Sequence, residues 1–251
     1  MGTAFVCLIV AFLMEGGNPI KLIGPSAFVI IAGGTFGALA VSFGLAKVLK
    51  MPGGFIKAMK PTPHNGVKLV DLFIYYSEKA RKEGLLSLEG DTEADASFDP
   101  LIKKGLSLVI DGTDANAIKE IFEIEIMEFE EREKGTVMVF EQAGGFCPTM
   151  GIVGTVLGLI SVLSHLNEPE RLGESIAAAF IATLYGIGFA NIIFLPTANK
   201  LKGQLKEQIA EKNLILTGLI SLQAGDNPRI LKDKLMGFLE DHDREKVRSV
   251  D

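Results

Sequence analysis

The chain has 251 residues, 48% of them hydrophobic, and a mean hydropathy of +0.32, an apolar excess that excludes an ordinary water-soluble globule. A net charge of −6, a pI near 5.3 and the absence of Trp exclude a dedicated nucleic-acid binder, which needs a clustered positive field. The two cysteines, Cys7 and Cys147, lie far apart inside apolar runs and supply neither a disulfide framework nor a zinc site.

Four apolar blocks, residues 3–14, 22–46, 136–166 and 172–196, form two hairpins. The first is short, about 18 Å as a helix against roughly 30 Å of hydrocarbon. It is read as a short first crossing rather than a signal-peptide core, because no basic segment precedes it and Gly16-Gly17-Asn18-Pro19 makes a tight turn into the next block. The second block is long enough to cross with tilt and carries Gly33 and Gly37, a GxxxG pair that permits close helix approach. Lys47, Lys50, Lys57 and Lys60 follow it, and Pro52-Gly53-Gly54 and Pro61-Thr62-Pro63 are expected to break the chain.

Residues 47–135 read as a helical cytoplasmic domain, with Asp91–Pro100 a polar connector inside it. Phe122-Glu123-Ile124-Glu125-Ile126 alternates with period two, the pattern of a strand. A helix is preferred there, because Asp114 can cap its start, Glu130 and Lys134 make a favourable i, i+4 pair, and no turn signal precedes the third block. The acidic residues Glu128, Glu130, Glu131 and Glu133 read as a solvated face rather than a cation site.

In the third block Glu141 and Gln142 belong to the inner headgroup zone, leaving Phe146–His165 as the crossing. It contains Pro148 and a second GxxxG pair, Gly154 and Gly158. The fourth block carries Thr183 and ends at Pro196, followed by Lys200, Lys202 and Lys206 and a helical tail over 200–251. The short connections 15–21 and 167–171 hold only Lys21 and Arg171 among the basic residues. The positive-inside rule therefore puts both termini and the 47–135 segment in the cytoplasm. The expected fold is an all-α integral membrane protein: transmembrane hairpins at 1–46 and 136–199, a helical cytoplasmic domain at 47–135 and a cytoplasmic tail.

No Asp, Glu, Lys or Arg lies in the middle of a span, where an ionisable group is costly and usually functional. What remains is hydroxyl chemistry. Counted from the outer hairpin, Thr155 and Thr183 fall at the same depth, so an antiparallel pair would place both near mid-membrane. There they can accept hydrogen bonds or coordinate a desolvated cation, or each can bond a carbonyl one turn back. Pro148 and Pro196 flank the inner ends of these spans, where each removes a backbone donor and can bend its helix. Walker A, HExxH, GxSxG and CxxC sequences do not occur, and the chain does not read as an enzyme.

Four sequence blocks resemble one family. Arg81-Lys82-Glu83-Gly84-Leu85-Leu86-Ser87-Leu88-Glu89, Asp111-Gly112-Thr113-Asp114-Ala115, Ala143-Gly144-Gly145-Phe146 through Gly154-Thr155-Val156-Leu157-Gly158, and Ala182-Thr183-Leu184-Tyr185-Gly186 with Leu195-Pro196 are similar to the MotA/PomA subunit of the bacterial flagellar stator. The resemblance implies a homopentameric ring around a dimer of MotB-type partners in the bacterial cytoplasmic membrane, with the ion-carrying aspartate supplied by the partner and the rotor protein FliG as the target. By position, Arg81 and Glu89 match the rotor-contacting charges, Pro148 and Pro196 the prolines that couple ion passage to motion, and Thr155 and Thr183 the ion-pathway threonines. Thr155 is typical of sodium-driven members, whereas Ala182 stands where they usually have a second threonine. The proton is the default ion, with Na+ the alternative and no cofactor implied. An ExbB/TolQ-type energiser or a passive membrane scaffold are the competing readings. The extra amino-terminal hairpin and the Arg81–Glu89 block favour the stator.

Overall fold

The computed structural model describes residues 2–61, 65–94, 99–164, 166–167 and 169–248, and all the regular structure in them is helical. Thr62, Pro63 and His165 lie outside the described residues, as does part of the Asp91–Pro100 connector. The helices are α1 Gly2–Met14, α2 Pro25–Phe43, the single turn α3 Leu45–Val48, α4 Met51–Met59, α5 Gly66–Glu83, α6 Glu89–Ala94, α7 Pro100–Ile110, α8 Ala115–Ser164, α9 Pro169–Gly188, α10 Leu195–Gln223, α11 Pro228–Met236 and the short α12 Asp241–Arg244. Short 3-10 turns at Pro19–Leu22 and Leu85–Leu88 and a π-helical turn at Phe189–Phe194 join their neighbours.

Among the described residues, three stretches are long and apolar enough to cross a membrane: Pro19–Phe43, the apolar part of α8, and that of Leu172–Gln223. The first apolar block forms α1, a helix of only 13 residues, none of them buried inside the chain and only Ile9 and Phe12 partly covered. Its side chains, Phe5 and Met14 among them, are exposed in a way that suits hydrocarbon rather than water.

Residues divide into two compact units, one of Met1–Lys60 with Lys134–Gly203, the other of Pro61–Glu133 with Gln204–Asp251. In the first, Val48, Met51 and Ala58 bury against Leu39, Phe140 and Leu201, so the boundary after the second apolar block falls at Lys60 rather than at residue 46. The expected break at Pro52-Gly53-Gly54 is instead helical, as α4. Pro52 sits in the first turn, where its missing N–H costs nothing, and a Cβ on Gly54 would meet Phe140 Cε2 at 2.8 Å, so the glycine admits the neighbouring ring.

The second unit buries a core of α5, α7, α8, α10 and α11 side chains, including Phe73, Leu106, Phe122, Leu219 and Leu235. The period-two passage is helical. Ile118, Phe122 and Ile126 enter this core at four-residue intervals while Ile124 stays 52% exposed, so the alternation carries no strand geometry. Asp114 accepts from Asn116 N–H at 2.9 Å, and Asp99 and Asn227 cap α7 and α11 in the same manner.

The corner after α10 turns at Gly225, whose φ of +69° suits glycine. Next to it the Asp226 carboxylate accepts from Lys234 Nζ at 2.6 Å, and Ser77 Oγ of α5 donates to the Asp226 carbonyl at 3.2 Å. The Lys234 hydrogen bond holds the Asp226 carboxyl below the usual carboxylate range. A carboxyl whose pKa is lower folded than unfolded stabilises the fold above the unfolded value, about 3.9. That stability is lost as pH falls through the depressed folded value. Asp226→Asn is therefore expected to cost at most about 1 kcal/mol at pH 7, because Lys234 is partly solvated. Its difference from the parent protein should begin to narrow as pH falls below about 3.9, which thermal unfolding across pH 2 to 7 checks.

Candidate functional site

The site is built where α8 and α9 pass each other. Glycine sets their separation. A Cβ on Gly154 would stand 2.6 Å from the Ala182 Cβ, one on Gly158 2.6 Å from the Ala179 Cβ, and one on Gly186 2.6 Å from the Cys147 carbonyl oxygen. The helix backbones therefore touch across small residues, the packing that works where lipid removes any hydrophobic advantage. α2 lies on the same pair through Ala27, Ile31, Thr35 and Leu39.

On α2 the expected glycines are not the ones used within the chain. Gly33 and Gly37 are exposed, and a Cβ on either meets nothing within 4 Å. Gly34 makes the close contact, with its Cβ position 2.6 Å from Met150 Sδ. A one-residue step turns a helical position by about 100°, so a GxxxG spacing alone does not say which face is covered.

The α8–α9 approach brings Thr155 and Thr183 together. Their hydroxyls are in direct hydrogen-bond contact, and Thr155 Oγ1 also lies 3.0 Å from the Gly151 carbonyl oxygen and 3.1 Å from that of Ala179. One hydroxyl has one proton, so Thr155 cannot donate to all three neighbours at once. The result is a knot of four oxygens between two apolar helices, with more acceptor capacity than protons. Oxygen donors of this kind suit a hard cation or a proton carried on water. Ser161 and Ser175 face each other at 3.4 Å further along the seam, and a cleft of about 230 Å³ lined by Ser26, Ile30, Gly158, Ser161, Ser175 and Ala182 flanks it. No cluster of metal-ligating side chains occurs among the described residues.

Pro148 lies inside α8 and Pro196 at the second residue of α10. A Cβ on Gly144, four residues before Pro148, would meet Leu195, the residue before Pro196, at 2.5 Å. Immediately before Pro196 the chain widens into the π-helical turn, where Leu195 N–H donates to the carbonyl five residues back, at Ala190. Side chains cover carbonyls around this irregularity, Asn191 Nδ2 donating to Ile187 O at 2.9 Å and buried Thr197 Oγ1 to Ile193 O at 2.6 Å. At the polar end of the span, Glu141 pairs with Lys202 at 3.8 Å.

Arg81 and Glu89 belong to the other unit. Arg81 is in the last turn of α5 and Glu89 opens α6, both exposed. Sequence reasoning assigned no role to Tyr185, yet its O–H donates to Leu22 O at 2.7 Å while its oxygen accepts from Gly24 N–H at 3.2 Å, closing the backbone groups at the start of α2. The available signal was a phenol in an apolar helix, which has to find partners.

This fold and site define a helical membrane protein in which two apolar helices gather a cluster of oxygen atoms and carry no mid-span acid. Residues 93–213 match the MotA/TolQ/ExbB proton channel family, and residues 1–84 match the motility protein A N-terminal family. Motility protein A of Bacillus subtilis is 36% identical over 97% of this chain and 90% of its own length. Among solved structures, C. jejuni MotAB superposes with a TM-score of 0.89 at 31% identity, over 96% of this chain and 94% of that one. The flagellar MotAB stator complex from Bacillus subtilis gives 0.88 at 35%, over 97% and 95%. The chain belongs to the motility protein A family and is a flagellar stator subunit.

Because the Gly186 approach is backbone against backbone, Gly186→Val is expected to reduce the yield of folded membrane-inserted protein several-fold. Gly33→Ala should leave the fold of the chain unchanged. Size-exclusion profiles of the detergent-solubilised protein check both.

Proposed function

We propose that five copies of this chain ring a dimer of MotB-type subunits in the cytoplasmic membrane, and that ions passing between partner and ring turn the ring against the rotor protein FliG. The carrying observation is the oxygen knot at Thr155 and Thr183 between apolar helices that contain no mid-span acid. Such a lining can hand on an ion but cannot by itself titrate. The carboxylate comes from the partner, in keeping with the MotAB complexes to which the fold is similar. The membrane is crossed four times with both termini inside, α1 being the shortest crossing. This reading is supported by the Lys residues that follow α2 and the π-helical turn.

Coupling runs through the two prolines. Each leaves a carbonyl without its usual donor near the inner end of its span, a place where a helix bends at low cost. A neutralised partner carboxylate and a charged one would press differently on this wall. Each unit charge moved through 100 mV supplies about 2.3 kcal/mol, so several ions act per substantial rotor step. Arg81 and Glu89 meet complementary charges on the rotor. The ion is H+ by default and Na+ in the alternative, with no cofactor.

Pro148→Leu is expected to abolish swimming at normal membrane levels of the complex; undiminished motility would favour a passive scaffold. Swimming speed against external sodium at fixed pH identifies the ion, a proton-driven motor being indifferent to sodium. Particle images of the chain co-purified with its partner should show foreign helices inside a five-fold ring, and an empty or differently numbered ring would overturn the assembly.

A further inference from the structure

The segment that presents Arg81 and Glu89 is held at both ends by one ion pair. Lys79, two residues before Arg81 on α5, places Nζ 2.7 Å from Asp91 Oδ2, two residues after Glu89 on α6. Both side chains are mostly covered, 19% and 29% exposed, and Lys79 Nζ also stands 5.9 Å from the centre of the Tyr75 ring. The Asp91 hydrogen bond raises the Lys79 pKa against the opposing effect of desolvation, so the ammonium stays charged throughout the physiological range. Between them the chain turns at Gly84, with φ +84°, and Ser87 Oγ donates to the Gly84 carbonyl at 2.7 Å.

α6 has only six residues, too few to persist as a helix without outside attachment. Leu88, fully buried in the second unit's core, is one attachment. Leu85, partly buried against the same core, adds a second, and such apolar contacts fix the rotation of α6 less closely than a directional bond does. Asp91 lies three residues beyond Leu88 and so on the same side of the turn, while Glu89 faces away from both. With Leu88 buried and Asp91 bonded to α5, rotation is fixed as well, and the direction of Glu89 relative to Arg81 is set.

We propose that Lys79 and Asp91 are positioning residues for torque transfer, a brace that fixes the spacing and direction of the exposed Arg81 and Glu89 pair. The proposal rests on the reading of those two residues as rotor contacts. The brace does not itself meet the rotor: its charges neutralise each other and are largely covered, whereas Arg81 and Glu89 are exposed.

The test uses the complex with the MotB-type partner and two readouts, hydrogen exchange of peptides spanning residues 81–91 and stall torque at matched membrane levels. Asp91→Asn should speed exchange in that segment several-fold and lower torque. Lys79→Arg should preserve both, and the exchanged pair Lys79→Asp with Asp91→Lys should recover both relative to either single change. If Asp91→Asn lowers the yield of complex, Lys79→Gln reports on the same bond from its other end. Unchanged exchange in the single variants, or an exchanged pair no better than they are, overturns the brace. Faster exchange with undiminished torque, together with full torque in Arg81→Glu, would sink the rotor-contact reading and with it the proposed role, while the bond itself would stand.

Discussion

Close approach of α8 and α9 is the constraint on which the membrane part depends. In hydrocarbon an apolar side chain gains little by leaving lipid for protein, so helices associate by backbone proximity and satisfied polar groups. Gly151, Gly154, Gly158 and Gly186 supply the proximity, and the contact carries Thr155 and Thr183 into hydrogen-bonding distance. A larger residue at any of these positions would separate the helices and also disperse the oxygen knot. Packing and the gathering of these oxygens are thus one property of the same seam.

The inner end of the seam follows a different rule. Pro148 and Pro196 interrupt the ladder of backbone bonds where a membrane helix tolerates it only if other donors step in. Near Pro196, Asn191 and Thr197 side chains donate to the Ile187 and Ile193 carbonyls, and the π-helical turn at Phe189–Phe194 re-registers the chain. Gly144 receives Leu195, the residue before Pro196. A region with shifted register can exchange one bonding pattern for another. In the second unit the arrangement is the opposite, a charged segment held by fixed contacts. There the exposed segment 81–89 is anchored by buried Leu88 and tied by Lys79 and Asp91.

Much of this was written in the sequence because it rests on local chemistry. Apolar block length, the scarcity of basic residues in two short connections, the Asp114 cap and the equal depth of Thr155 and Thr183 follow from counting and from the fixed rise of a helix. So does the absence of a mid-span acid. Which glycines would be covered did not follow. Gly33 and Gly37 have the expected spacing, but Gly34 takes the contact, because the face of α2 that is buried depends on how the helix is rotated against α8. The helical α4 and the roles of Tyr185 and the Lys79–Asp91 pair were hidden for a related reason. Their partners are remote in sequence or belong to neighbouring helices, and no periodicity records them. Local spacing determined the kind of protein and the depth of its oxygen ligands. Only tertiary packing decided which faces meet, because helix rotation and crossing depend on contacts between residues that the chain order keeps apart.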